Sequence, residues 1–289
     1  MRWGWWRRQR RASRRWRRST RRESPAPNPR IEGADGVTSL RLAIGFLTVL
    51  PVAPAREARM GPARAWFPLV GLGLGGVLLG LDAAAREALP ELVVGAILVA
   101  ALLVLTRAIH TEGFLDCCDG LFGGYTREDQ LRILRDSHVG AFAVIGGAAL
   151  LLLKWSALAG IPDDARTGLL LVFPCLSRFG ILATMAVFPY VRQQGLGTAF
   201  QEGRGWWQIA MGAATAAAAA VLFLGGGGTI LFGVTVVVAL GLGRWIAGML
   251  GGMTGDTYGA VNEVGEVAVL VLGIALLSAT PEIFGAPLW

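Results

Sequence analysis

Along this chain apolar residues neither alternate nor come in single amphipathic turns; they gather in long runs separated by short polar islands. A helix needs about 17 to 25 predominantly apolar residues to cross the hydrocarbon core of a bilayer. Seven runs approach that length: residues 66–82, 91–107, 139–160, 168–190, 208–224, 229–250 and 266–281. An eighth, Leu40 to Pro54, is apolar but short and carries two prolines, which predicts an interfacial or re-entrant segment. No period of 20 to 50 residues repeats, so a solenoid is not indicated. The expected fold is an all-α polytopic membrane bundle of about seven transmembrane helices, with a short interfacial or re-entrant segment before them.

Composition agrees with this pattern. Of 289 residues, 54% are hydrophobic and 16% charged, and the mean hydropathy is +0.54, outside the usual range of a water-soluble domain. The 41 glycines include G-L-G-L-G-G at Gly71 to Gly76 and G-M-L-G-G at Gly248 to Gly252. Such small-residue stretches let helices approach closely.

Charge divides the chain in two. The net +7 arises in residues 1–30, which hold twelve Arg and one Glu, whereas the remainder carries 15 basic and 19 acidic residues. Residues 1–36 therefore read as an Arg/Trp-rich tail, disordered or lying on the membrane surface, and 37–289 as the integral-membrane catalytic domain. Anionic lipid is the expected polyanion for the tail rather than nucleic acid. An export signal is excluded because Ser, Pro and Asn follow the arginine pairs where an apolar stretch would be required. Basic residues mark the cytoplasmic side, so the tail, 55–65, 108–138, 191–207 and 251–265 are expected there. The acidic or bare loops at Pro162 to Asp164 and Gly225 to Gly228 fall opposite. A multi-pass protein of the cell inner membrane, active on its cytoplasmic face, follows. Cys117, Cys118 and Cys175 are too few for a disulfide framework, and two histidines without a C-x-x-C make zinc improbable.

The chemistry concentrates in the island H-T-E-G-F-L-D-C-C-D-G-L-F-G-G from His110 to Gly124 and in R-D-S-H-V-G from Arg135 to Gly140. Spacings of four and three place Glu112, Asp116 and Asp119 on one helix face, where unpaired like charges repel and a cation is the natural partner. Asp136 is expected to join them from a return helix. Carboxylate oxygens suit Mg²⁺ or Mn²⁺, and such ions form a clamp for phosphoryl transfer. Asp116 and Asp119 are the central catalytic candidates, and His110 is placed to take a proton from an attacking hydroxyl. Gly120, Gly123 and Gly124 leave room for a bulky group, with Ser137 and His138 beside them. Arg178 and Arg244, charged within apolar runs, are candidates for phosphate oxygens. Asp256, Asn262 and Glu263, in a third polar island from Thr254 to Glu266, are expected to complete the substrate pocket, with Gly195 to Gly205 closing it from another side.

These blocks resemble the adenosylcobinamide-GDP ribazoletransferase, or cobalamin synthase, family in collinear order. The likeness includes F-L-T-V-L-P-V at Phe46, F-P-L-V-G at Phe67, both acidic islands, L-L-L-K-W at Leu151, S-R-F at Ser177, G-L-G-T-A-F at Gly195 and T-G-D-T-Y-G-A-V-N-E at Thr254. Glu112 stands where the family commonly has Asp, which keeps the charge and lengthens the arm. The resemblance implies a Mg²⁺-dependent membrane enzyme. It transfers the adenosylcobinamide-phosphate moiety of adenosylcobinamide-GDP to α-ribazole, or to α-ribazole 5′-phosphate, and releases GMP in the last assembly of the cobalamin nucleotide loop. Homo-oligomerisation is left open. Two other readings share some features. A CDP-alcohol phosphotransferase would explain D-x-x-D-G at Asp116 to Gly120 but lacks its Ala-Arg pair here, and an ion-coupled transporter would explain intramembrane acids but lacks an inverted repeat.

Overall fold

A computed structural model of the chain describes residues 36–53, 60–192, 199–200 and 205–285, and these are all helix and connecting loop apart from one isolated β-bridge. The Arg/Trp-rich tail and most of the Gly195 to Gly205 segment lie outside the described residues.

The helices are α1 (Gly36–Leu47), α2 (Phe67–Arg86, entered through a 3-10 turn at Gly61–Trp66), α3 (Glu91–Leu105), α4 (Ile109–Gly123), α5 (Arg127–Ile133), α6 (Ala141–Ala159), α7 (Asp163–Val187), α8 (Trp206–Leu250) and α9 (Gly255–Ala279). Five of these reach span length and apolarity, and the bent pair α3–α4 supplies a sixth. At 1.5 Å per residue the 45 residues of α8 would extend roughly 67 Å, about twice a bilayer core. The chain solves this at Gly225, whose φ of 58° and ψ of −135° interrupt the helix. Before the break, Phe223 and Leu224 face Gly168, and Gly212 faces Leu182; after it, Thr235 and Ala239 face Gly180, and Gly243 faces Thr184 and Phe188. The two limbs thus run in opposite directions along α7, in keeping with the two separate apolar runs 208–224 and 229–250. Only glycine takes that backbone readily, and a Cβ at Gly225 would also sit 2.3 Å from the Gly285 carbonyl oxygen.

α1 is twelve residues, about 18 Å, too short to cross. Its following segment turns back, with Val49 N–H donating to the Leu105 carbonyl and Arg41 Nε to that of Val52, as expected for a re-entrant or interfacial element.

α7 is the axis of the bundle: nineteen of its 25 residues are buried, from Ala165 to Met185. Pro174, inside it, cannot donate to Leu170. There α2 comes closest, since Cβ atoms at Gly71 and Gly75 would lie 2.3 Å from the Pro174 oxygen and 2.6 Å from that of Leu170. The expected close packing holds at these glycines, while Gly73 and Gly76 face open space. G-M-L-G-G acts differently: Gly251, at φ 79°, ends α8 with its N–H on the Ala247 carbonyl, and Met253 then donates to Pro189.

Two elements position the site. Arg107 and Ala108, with φ of 54° and 52°, turn the chain by 92° between α3 and α4, so α4 leaves the direction of its span. It then lies against the start of α9 with almost no intervening side chain. A Cβ at Gly113 would stand 2.7 Å from the Asp256 oxygen, and one at Gly259 2.7 Å from that of His110.

Candidate active site

At this end of the bundle a cavity of about 290 Å³ opens between α4, the last turns of α7, the strand-like Tyr190–Arg192 stretch and the first turns of α9. Phe46 and Phe200 wall one side, packed on each other at 4.7 Å between ring centres. Tyr190 and Tyr258 stack on another side at 6.2 Å. The polar lining is Glu112, Asp116, Asp256, His110 and Arg192.

Glu112 and Asp116 reach the same cavity because four residues on a helix is nearly one turn. Asp256 joins them from the first turn of α9, brought close by the Gly113 contact. Its Oδ2 accepts from Arg192 Nη2 at 2.6 Å and from Thr254 Oγ1 at 3.4 Å. Thr254 also caps α9 through the Thr257 N–H. Three carboxylates and one guanidinium therefore line the same cavity, and Asp256 is the acid paired with the guanidinium. His110 is 5% exposed, and its Nδ1 has no hydrogen-bond partner among the described residues.

The structure corrects the expected four-acid cluster. Asp119 does not line the cavity: its Oδ2 accepts from Gly140 N–H at 2.6 Å and its Oδ1 from Ala143 N–H at 2.9 Å, so it caps α6 from outside. The cause is axial distance. Asp119 shares the helical face but lies about 10 Å along the axis from Glu112, beyond the start of α9 and level with the positive end of α6. Asp136 is also elsewhere, because α5 ends at Ile133 and the return is an exposed loop rather than a helix. There Asp136 Oδ1 accepts from His138 N–H at 3.1 Å and pairs with His138 Nδ1 at 2.6 Å. This contact raises the His138 pKa above 6.5 and lowers that of Asp136. The pair thus persists only between these two values: it fails when acid protonates Asp136, and again when His138 loses its proton above its raised pKa. NMR titration is expected to place the His138 midpoint above 6.5 in the native chain and nearer 6.5 in Asp136→Asn; equal midpoints would refute the pair.

Other expected substrate contacts are likewise placed elsewhere. A Cβ at Gly120 would meet Leu134 Cγ at 2.7 Å and one at Gly124 would meet Gln130 at 2.7 Å, so these glycines seat α5 on α4, while Gly123 packs loosely near Phe142. Ser137 and Arg244 are exposed and outside the cavity.

Arg178, Asn262 and Glu263 belong to a buried polar cluster beneath it. Glu266 accepts from Lys154 at 2.6 Å, from Arg178, and from Asn262 Nδ2 at 3.1 Å. Glu263 pairs with Lys154 and accepts from Thr111 Oγ1 at 3.0 Å. Two cations facing two carboxylates make the cluster formally neutral, the condition under which charges persist inside a membrane. Arg178 therefore does not reach the cavity, because the i+3 acid after Glu263 meets it first.

Sequence reading passed over Arg192 as a site residue and Glu266 as its own element of structure. A signal for Glu266 was present: it follows Glu263 by three residues on one helix face at the start of an apolar run, where an unpaired acid is costly.

Among the described residues no three acids, histidines or cysteines form a metal site unaided. Residues 39–275 match the family model described as cobalamin-5-phosphate synthase. Curated relatives named adenosylcobinamide-GDP ribazoletransferase include that of Geotalea daltonii, 37% identical over 238 residues covering 81% of this chain and 96% of that protein. That of Deinococcus radiodurans is 38% identical over 237 residues, 80% and 84% of the two chains. That of Roseiflexus sp. is 39% identical over 231 residues, 79% and 86%. No solved structure matches the chain.

Proposed function

This chain belongs to the cobalamin-5-phosphate synthase family, and from that premise we propose that it joins adenosylcobinamide-GDP to α-ribazole, or to its 5′-phosphate, with release of GMP. The match favours neither the CDP-alcohol phosphotransferase nor the transporter reading. In the proposed reaction a ribazole hydroxyl attacks the phosphorus attached to cobinamide. A new P–O bond forms, the phosphoanhydride bond breaks, and GMP departs with the electron pair.

The observation that carries this reading is one cavity lined by three hard carboxylates, Glu112, Asp116 and Asp256, together with His110 and Arg192. His110, at the cavity wall and held by the backbone contact with Gly259, is the group assigned to take the proton of the attacking hydroxyl. The tyrosine and phenylalanine walls keep water from competing as the nucleophile and give flat faces to a base. Arg192 balances part of the acidic charge.

We assign Mg²⁺ to Glu112 and Asp116, with Asp256 adjoining. The donor set fits, because Mg²⁺ is ordinarily held by one or two carboxylates and completed by substrate phosphates rather than enclosed in a protein cage. Bound there, it would neutralise charge on the diphosphate.

The cavity end carries Arg64, Arg107, Arg127, Arg132, Arg135 and Arg192, whereas Arg86 and Arg166 lie toward the other. This bias supports a cytoplasmic active site in the inner membrane. The direct test is to incubate the purified full-length protein with adenosylcobinamide-GDP, α-ribazole and Mg²⁺. Expected is GMP release in equal amount to joined product and dependent on ribazole; no GMP, or GMP without ribazole, overturns the reading.

A further inference from the structure

An acidic cavity is a poor host for a diphosphate unless a cation meets it, and among the described lining residues Arg192 is the one guanidinium. Its fixation is unusual. Nη2 donates to Asp256 Oδ2 at 2.6 Å and to the Leu134 carbonyl at 2.9 Å, so one nitrogen is held by two acceptors from two different elements. Nε, by contrast, is buried with no acceptor among the described residues. A buried N–H left without a partner carries a desolvation penalty that an oxygen would relieve. The start of α9 adds to the same demand: Gly255 lines the cavity with open space beside it, at the positive end of a 25-residue helix. His110, buried and with Nδ1 unpartnered among the described residues, is also among the residues lining this cavity.

We propose that Arg192 is the anion-binding residue of the cavity, receiving a nucleotide phosphate oxygen on Nε while Asp256 and the Leu134 carbonyl hold its far nitrogen. Asp256 then serves two ends: it adds an oxygen to the acidic group and aims the guanidinium. A planar guanidinium suits this, since its donors sit on separate nitrogens held in one plane, whereas those of lysine radiate from a single atom. The assignment rests on the phosphoryl-transfer reading above for the identity of the anion.

The test compares binding of GMP and guanosine to detergent-solubilised full-length protein by calorimetry in one Mg²⁺-containing buffer. Native protein is expected to prefer GMP. In Arg192→Gln/Asp256→Asn, which removes the guanidinium without leaving an uncompensated carboxylate, GMP binding should weaken about tenfold or more with guanosine unchanged. Arg192→Lys should fall between. A GMP-to-guanosine preference equal to the native one in these variants overturns the proposal; should the double variant not fold, an unchanged preference in Arg192→Lys alone does so. GMP release from adenosylcobinamide-GDP, measured on the same native sample, separates the two ideas. Turnover with an unchanged preference removes Arg192 and keeps the reaction, and lost preference without native turnover keeps the anion site and removes the reaction.

Discussion

Asp116→Asn is expected to lower turnover by roughly 10³-fold, the scale of removing one charge-stabilising group from a phosphoryl-transfer site. The change should leave the protein folded and in the membrane. Asp116 is partly exposed at the cavity, none of the hydrogen bonds found among the described residues uses its carboxylate, and asparagine has the same shape. What disappears is charge at a place where Glu112 and Asp256 also face. The expected signature is a collapse in GMP formation with a thermal unfolding midpoint close to the native one. Native-like turnover would remove Asp116 from the reaction, and a large fall in the midpoint would recast it as a structural acid.

The largest stability effect is expected at Glu266, which is fully buried and serves Lys154, Arg178 and Asn262 together. Glu266→Gln preserves volume but leaves two buried cations facing the single carboxylate of Glu263. Breaking a buried pair in this way costs about 3–5 kcal/mol, chiefly because a charge is left uncompensated. Denaturation in detergent should show a loss on that scale. Because the cluster also ties α4, α6, α7 and α9 together through Thr111, Lys154, Arg178 and Glu263, activity should fall with the folded fraction and not independently of it. A variant as stable as the native chain would mean that Arg178 and Lys154 find other acceptors or lie less deeply than described.

These two residues show how differently the chain could be read in advance. Asp116 was accessible to spacing alone, because its relation to Glu112 is one helical turn and needs no knowledge of neighbours. Asp119 satisfied the same rule and still went elsewhere: periodicity fixes the angle around a helix, whereas the partner met depends on where the adjoining helix begins. α9 begins opposite Gly113, so the acid one turn farther along faces the amino end of α6. Asp136 failed for a related reason, since apolar periodicity before it is too short to carry a return helix. Arg178 was marked as a costly charge in an apolar run and Glu263 as a pocket residue, yet a costly charge is resolved by pairing or by function alike, and only packing showed that Glu266 completes the cluster that holds both.

The apolar run lengths alone determined an all-helical, multi-pass membrane chain with one segment shorter than a span, because the bilayer imposes a length on each helix separately. Span counting together with charge bias gathered the polar islands at one end. Which acids face each other, which arginine lines the cavity and which is neutralised beneath it were decided by helix crossings: the 92° turn after α3, the reversal at Gly225 and the glycine contact between α4 and α9. The last of these joins segments more than a hundred residues apart through the close approach of backbones, and apolar run length does not encode it.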